Sequence, residues 1–173
     1  MNYHKSVLLQ QSIDSLNIKK NEKYIDATLG GGGHTAAILE RGGIVLGIDV
    51  DQDALDYVKE TFNAQLSTLN LKVTKGNFKD IKSIAQQNGF EQVAGIIFDL
   101  GVSSHQLDVA ERGFSFNQEG PLDMRMDREL TVQAKDLIKI LTKGELYELF
   151  TKLGEERYAR RLAEHIIGAR KIE

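Results

Sequence analysis

The amino-acid sequence predicts an α/β fold built on a mostly parallel sheet. Four short runs rich in β-forming residues, 23–28, 44–49, 71–75 and 94–100, are separated by stretches of helical spacing. Strands that alternate with helices favour βαβ units, in which each helix crosses back over the sheet and the strands lie parallel. A glycine-rich turn follows the first run, and aspartates close the second and nearly close the fourth.

Composition narrows the class of protein. With 41% apolar and 27% charged residues, the 173-residue chain is typical of a soluble globular protein. It has no apolar run near the roughly 20 residues that span a bilayer, and its amino terminus lacks a secretion signal, so we expect a cytoplasmic protein without a membrane span. The absence of cysteine excludes disulfides, Cys-ligated zinc and thiol catalysis. A net charge of −3 means that any RNA contact is local.

Helices are predicted between and around the strands. The expected ranges are 7–16, 34–41, 52–63 and 78–88. Asp51 or Gln52 is expected to begin the helix that follows the second strand.

The pattern changes after the fourth strand. Residues 101–127 are predicted to form a long irregular loop, and loops of that length are usually functional or disordered. Three helices are then expected at 131–141, 143–153 and 155–172, with Glu155 and Glu156 in the first turn of the last.

The fourth strand, AGIIFDL, is predicted to be buried on both faces, and no later segment resembles a strand that would cover its free edge. We therefore expect an incomplete parallel sheet. A bare edge strand also predicts a homodimer or a domain-swapped assembly.

The segment YIDATLGGGGHTAAIL joins a strand to a helix through four glycines. Glycines let a backbone turn sharply and approach a ligand, and the helix start presents free N–H groups. Gly31, Gly33 and Ala36 satisfy the relaxed dinucleotide fingerprint. Alone, this motif is compatible with NAD, with S-adenosylmethionine or with a structural turn.

Asp49 ends the second strand, at the position where an acid accepts hydrogen bonds from ribose hydroxyls. The alternative is a helix cap, which suits Asp51 better than Asp49. Phe78, after the third strand, is placed either against a flat adenine or in the core. Asp99 ends an apolar strand, and a buried carboxylate needs a partner such as a substrate amine, a cofactor group or a backbone N–H.

Seven motifs in order carry a family resemblance: DATLGGGGHT, GIDVD, GNF, DLGVSSHQLD, RGFSF, GPLDMRMD and GEERYARRLA. Together they closely resemble the MraW/RsmH family of bacterial methyltransferases. The resemblance implies an S-adenosylmethionine-dependent enzyme that methylates N4 of a cytidine in small-subunit (16S) ribosomal RNA, so its expected partner is that RNA or the assembled small subunit. It places the cofactor contacts at Gly32, Gly33, His34, Asp49, Phe78, Asp99 and Gln106. It also implies an incomplete Rossmann-like methyltransferase sheet with a partial helical insert, divided into a cofactor-binding domain at 1–113 and a loop plus helical insert at 114–173.

An exocyclic cytosine amine is a poor nucleophile, so the enzyme must align it and accept its proton. Asp99 is the leading candidate for the acceptor, and Ser103, Ser104 and Asp123 are candidates to share the task. Metal ligation by His34 is not expected, because no cysteine or paired histidine lies nearby in the sequence.

The loop motif RGFSFNQEGPLDMRMD mixes cations and aromatic rings. Arg112, Phe114, Phe116 and Arg125 are expected either to hold an extruded base and its phosphates or to form a lid whose aromatics lie in the core.

Three interpretations of the whole chain compete. It is a shortened form of an rRNA methyltransferase, a small protein that binds the cofactor without methylating, or part of an NAD-type oxidoreductase. Relatives that match the resemblance continue beyond this length, which favours the first.

Overall fold

The computed structural model describes residues 6–170, and the statements below refer to this part of the chain. The strands are β1 (Lys23–Asp26), β2 (Ile44–Asp49), β3 (Leu71–Lys75) and β4 (Gly95–Ile97). The helices are α1 (Leu9–Leu16), α2 (Gly33–Glu40), α3 (Gln52–Thr61), α4 (Asn63–Ser67), α5 (Ile81–Asn88), α6 (Ser104–Asp108), α7 (Ala134–Ile140), α8 (Lys143–Lys152) and α9 (Ala159–Ala169). Short 3₁₀ turns lie at Phe78–Asp80 and Ala110–Arg112.

The strands form one parallel sheet in the order β3-β2-β1-β4. Tyr24 of β1 pairs with Val45 of β2 on one side and with Gly95 of β4 on the other. This confirms the predicted α/β, Rossmann-like class. Because all four strands run the same way, their carboxyl ends meet at one edge of the sheet.

Alternate side chains of the strands enter two apolar layers. One layer joins β1 and β2 to α1, α2 and α3 through fully buried residues such as Tyr24, Val45 and Leu55. The other joins the opposite face to α5 through Leu46, Ile48 and others. Burial of each such side chain contributes roughly 1.5–3 kcal/mol, so the two layers fix the strand ends from which the site is built.

Several element boundaries differ from the predictions. The expected helix at 52–63 ends at Thr61, and the separate helix α4 follows after Phe62. The expected irregular loop at 101–127 contains α6, because Ser103 and Gln106 form a reciprocal capping box that starts a helix there. That S-x-x-Q signal is present in the sequence.

The last helix begins later than predicted. Glu155 has a left-handed φ of 47°, and the N–H of Glu156 donates to the carbonyl of Phe150 at 3.0 Å. These residues therefore close the end of α8, and α9 begins at Ala159. The prediction that Glu155 and Glu156 form the first turn of the last helix is wrong. The predicted end at residue 172 lies outside the described residues.

Strand β4 is exposed on one face, so the prediction that it is buried on both is wrong. Ile97 is buried, whereas Ile96 and Phe98 are 41% and 47% exposed. The reason is topological: β4 pairs only with β1, and no helix of residues 6–170 covers this face of it. Self-association through this edge and the domain division at residue 113 stay predictions. Within the described residues, no helix is long and apolar enough to cross a membrane.

Candidate functional site

A cleft of about 1360 Å³ lies beyond the carboxyl ends of the strands. Its walls are the segments after β1, β2, β3 and β4, together with residues 122–134 and parts of α7 and α8. Pockets for single small ligands usually measure roughly 300–1,000 Å³, so this cleft has room for more than one ligand group.

The glycine-rich turn contributes Gly30 and His34 to the lining of the cleft. Gly32 and Gly33 lie outside that lining. Gly32 has a left-handed φ of 76°, and a Cβ there would meet the ring of Phe62 at 2.9 Å. A Cβ on Gly33 would meet Ser6 Oγ at 2.2 Å. Gly32 is therefore required by its left-handed backbone and its packing against Phe62, and Gly33 packs closely against the Ser6 side chain.

Asp49 lies at the end of β2 and faces the cleft. One carboxylate oxygen accepts the N–H of Gly30 at 2.8 Å, and the other accepts the N–H of Asp51 at 2.9 Å. Burial raises the pKa of Asp49, and the two backbone donors oppose that rise. Since a carboxylate has about four lone-pair positions, each oxygen retains one for a ligand hydroxyl.

Asp51 has a structural role, as the sequence alternative proposed. It is the N-cap of α3, where its Oδ1 accepts the N–H of Asp53 at 3.2 Å. The side chain is nearly fully buried and also accepts Gln106 Nε2 at 2.8 Å.

A polar cluster connects the ends of β1 and β4. The fully buried carboxyl of Asp26 accepts a hydrogen bond from Thr35 at 2.8 Å, and burial raises the pKa of this carboxyl. The backbone N–H of Asp99 donates to Thr28 Oγ1 at 2.7 Å, which holds Asp99 beside the glycine-rich turn. The Asp99 side chain is 33% exposed, and its Oδ2 lies 3.9 Å from His34 Nδ1. Buried His34 Nε2 has no hydrogen-bond partner among the described residues.

Phe78 lies on the rim of the cleft. It is 43% exposed, so the alternative that it belongs to the core is wrong. Its ring meets the exposed ring of Phe98 edge to face, with 5.8 Å between centroids. One aromatic face therefore remains available for a planar ligand.

The segment DLGVSSHQLD places three of its candidate residues on the cleft, and Asp99 is the first of them. Ser103 and Gln106 line it, and Ser104 does not. Ser103 Oγ accepts the N–H of Gln106 at 3.1 Å, and Gln106 Oε1 accepts the N–H of Ser103 at 3.0 Å. Both side chains are thus already engaged in starting α6.

Arg112 is buried, so the hypothesis that it grips RNA phosphates is wrong. Its Nη2 lies 2.8 Å from Asp51 Oδ2, and its Nη1 lies 2.7 Å from Asp53 Oδ2. Burial acts to lower the pKa of Arg112, but Asp51 and Asp53 outweigh burial and the pKa is raised. The guanidinium therefore remains charged, and it binds the carboxylates of Asp51 and Asp53 inside the protein.

Arg125 is also occupied, which contradicts a free phosphate-binding role. Its Nε and Nη2 donate to the two oxygens of Asp123 at 2.6 and 2.7 Å. Its Nη1 donates to the carbonyl of Leu130. Asp123 also accepts Gln133 Nε2 at 3.1 Å. The hydrogen bonds from Arg125 lower the pKa of Asp123 to about 2, so this carboxylate is a weak proton acceptor.

We predict that Asp123→Asn makes the protein less sensitive to acid. The folded pKa of about 2 lies below the unfolded value of 3.8. The ion pair therefore stabilises the fold above pH 4, and its contribution is lost as the pH falls from about 4 to 2. After allowance for solvent screening, the free energy of unfolding of the variant should be about 1–2 kcal/mol lower than that of the parent at pH 7. It should also fall less steeply as the pH is lowered. Urea unfolding between pH 2 and 7 measures this, with exposed Glu91→Gln as the control. An equally steep fall of the free energy of unfolding with pH in the parent and in Asp123→Asn would contradict the prediction.

The remaining two residues of the loop hypothesis differ in burial. Phe114 is half-buried, whereas Phe116 is fully exposed. The alternative of a lid with its aromatics in the core is therefore wrong for Phe116.

Sequence reasoning missed the ion pairs that hold the loop after Asp123. Lys75, at the end of β3, lies 2.7 Å from Glu129 and 3.3 Å from Asp127. Nothing in the local pattern pairs residues so far apart in the chain. In the described part of the chain, no group of three or more His, Asp or Glu residues could hold a metal ion.

The fold and the cleft together define a Rossmann-like protein: an open parallel sheet, a glycine-rich turn after β1 and an acid at the end of β2. The chain belongs to the MraW methylase family, whose sequence model matches residues 1–173.

Curated relatives are similar over almost the whole chain. The "Ribosomal RNA small subunit methyltransferase H" of Lachnospira eligens is 43% identical over 173 residues, which is 97% of this chain and 54% of that protein. The protein of the same name from Halothermothrix orenii is 45% identical over 171 residues, again 97% of this chain and 54% of that protein. The chain therefore spans about half the length of the curated relatives that it matches.

Proposed function

We propose that the chain carries the cofactor site of an S-adenosylmethionine-dependent methyltransferase that acts on N4 of a cytidine in small-subunit (16S) ribosomal RNA. The observation that carries the proposal is the cleft itself, which has an acid at the end of β2 and room for a second ligand group. Membership of the MraW methylase family supports methyl transfer. The names of the relatives support the RNA. Such a substrate implies that the protein works in the cytoplasm.

The residues that line the cleft fit this cofactor. The free lone pairs of Asp49 suit the two ribose hydroxyls, and the open ring face of Phe78 suits adenine. His34 Nε2 has no hydrogen-bond partner among the described residues, and the His34 ring lies near the carboxylate of Asp99. Both groups suit the polar amino-acid part of S-adenosylmethionine. Gln106, whose side chain already binds Asp51, has one amide hydrogen left for a ligand. Gly32 and Gly33 do not line the cleft, but they let the glycine-rich turn pack closely against Phe62 and Ser6.

The proposed chemistry rests on Asp99. When bound, the cofactor supplies a methyl group on a positively charged sulfur. The lone pair of cytidine N4 is delocalised into the ring, so Asp99 accepts a hydrogen bond from the amine and makes the nitrogen more nucleophilic. The N–C bond would form as the bond between sulfur and the methyl carbon breaks, and the Asp99 carboxylate would take the proton that the nitrogen loses. One third of the Asp99 side chain is exposed, so the proton can leave to water.

Asp99→Asn is expected to lower the rate of methyl transfer at saturating cofactor by about 100-fold, because an amide cannot accept the proton. The measurement is single-turnover transfer to small ribosomal subunits, with exposed Asp108→Asn as the control. Near-normal transfer by Asp99→Asn would assign the proton to another group, with Ser103 the next candidate on the cleft. Ser104 and Asp123 are weaker candidates, since Ser104 lies off the cleft and Asp123 has a low pKa.

Fully exposed Phe116 is the remaining aromatic candidate for stacking an unpaired RNA base. The chain has no tryptophan, so Phe116→Trp creates a single fluorescent reporter at that position. We expect single-stranded RNA from the target region to quench its emission, because a base stacks on the indole. Exposed Tyr158→Trp on the C-terminal helical segment is the control and should respond less. RNA binding seen by anisotropy of a labelled RNA without quenching at position 116 would contradict this role.

The proposed function is tested by incubating the chain with S-adenosylmethionine and small subunits that lack the modification. Formation of N4-methylcytidine, detected by mass spectrometry of digested RNA, supports it. Cofactor binding without any methylated cytidine would favour the second interpretation, a protein that binds the cofactor without methylating.

A further inference from the structure

The Arg112 guanidinium joins two segments that line the cleft. It contacts Asp51 and Asp53 at the start of α3. It also donates to the backbone carbonyls of Arg125 and Met126, both at 3.0 Å. The side chain is only 1% exposed, so these partners satisfy it within the protein.

The first link of this network leads towards the proposed ribose site. Asp51 is shared between Arg112 and Gln106 Nε2, and the N–H of Asp51 donates to Asp49. A shift of Asp51 would therefore move two of the proposed cofactor contacts, Asp49 and Gln106.

The second link leads to another part of the cleft wall. Met124 and Met126 both line the cleft. The N–H of Met124 donates to the Arg112 carbonyl at 3.0 Å, while the Arg112 side chain holds the carbonyl of Met126. Arg112 therefore holds the Met124–Met126 wall of the cleft through two hydrogen bonds, one to the Arg112 backbone carbonyl and one from the Arg112 side chain.

We infer that Arg112 is a positioning residue that couples the cofactor contacts at Asp49 and Gln106 to the Met124–Met126 wall of the same cleft. The inference rests on the proposed function for the identity of the ligand. Only a guanidinium presents enough donors in one plane to bind two carboxylates and two carbonyls, so lysine cannot replace it. The network contains no bound ligand atom, and Arg112 acts entirely through its neighbours.

The methionines allow a direct test. The chain has three, and two of them are Met124 and Met126. Labelling with [¹³C-methyl]methionine therefore gives at most three NMR signals, two of which report on this wall. Arg112→Lys should shift or broaden both signals. It should also weaken the binding of S-adenosylhomocysteine, measured by calorimetry, by about tenfold or more, since Asp49 and Gln106 lose their support.

The matched control is Arg41→Lys. Arg41 pairs with Asp14 at 2.8 Å in a half-exposed ion pair away from the cleft, so this variant makes the same chemical change elsewhere. It should leave affinity and both signals as in the parent. If Arg112→Lys does not fold, Asp53→Asn removes one carboxylate from the network and should shift the same two signals by a smaller amount.

The outcomes separate the inference from the proposed function. No binding of S-adenosylhomocysteine to the folded parent chain overturns the proposed function. Binding by the parent, together with parent-like methionine signals or affinity in folded Arg112→Lys, overturns the inference and leaves the proposed function standing. When Asp53→Asn stands in for an unfolded Arg112→Lys, unchanged signals for Met124 and Met126 overturn it as well.

Discussion

Asp49→Ala is expected to weaken the binding of S-adenosylmethionine by about 100-fold, because each hydrogen bond to a charged group contributes roughly 1.5–3 kcal/mol. The variant loses the acceptors proposed for the ribose hydroxyls. It also releases the N–H of Gly30, which Asp49 holds at 2.8 Å, so the glycine-rich turn loses its anchor.

Calorimetric titration of parent and variant measures this effect. Asp56→Ala is the control, because Asp56 is an exposed acid on the adjacent helix α3 and contacts only surface groups. An Asp49→Ala chain that is folded and binds within threefold of the parent would place the ribose elsewhere.

Gly113→Ala is expected to destabilise the fold by about 3 kcal/mol or more. Gly113 has a left-handed φ of 74°, and an added Cβ would meet the Pro121 carbonyl at 2.3 Å and the Asp123 N–H nitrogen at 2.8 Å. Both contacts are with backbone, which cannot rotate away. The segment after Pro121 would have to separate from the segment that carries Arg112.

Gly89→Ala is the control that separates the effect of the Cβ contact at Gly113 from the effect of a left-handed backbone conformation. Gly89 has a nearly equal φ of 77°, and no heavy atom lies within 4 Å of an added Cβ. The Gly89→Ala substitution should lower the free energy of unfolding by only about 1–2 kcal/mol, which is the usual penalty for an alanine in the left-handed conformation. Equal losses for the two variants in urea unfolding would show that the predicted contact with Pro121 is not important.

The strands and most helices follow from the sequence because their signals are local. A short run of β-forming residues and the four glycines place β1, the turn and α2 within a residue or two of their observed positions. The predicted start of α3 at Asp51 or Gln52 is confirmed, since Asp51 is the N-cap and Gln52 the first helical residue.

The errors lie where the outcome depends on distant parts of the chain. The sequence of β4 is apolar throughout, but its position at the sheet edge leaves Ile96 and Phe98 exposed. Arg112 resembles a cation available for RNA until the fold places Asp51 and Asp53 beside it. Local patterns carry no information about such pairings. Asp123 is a different case, because its partner Arg125 is only two residues away. The sequence shows both residues but not the bend of the loop that lets the guanidinium bind both carboxylate oxygens and lower the pKa of Asp123.

We expect the cleft beyond the carboxyl ends of the strands to bind S-adenosylmethionine. Calorimetric titration of the unaltered chain with S-adenosylmethionine and, separately, with NAD tests this binding. We expect saturable heat at one ligand per chain for S-adenosylmethionine and none for NAD. Heat with NAD alone, or no heat with S-adenosylmethionine from a chain shown to be folded by circular dichroism, would contradict it.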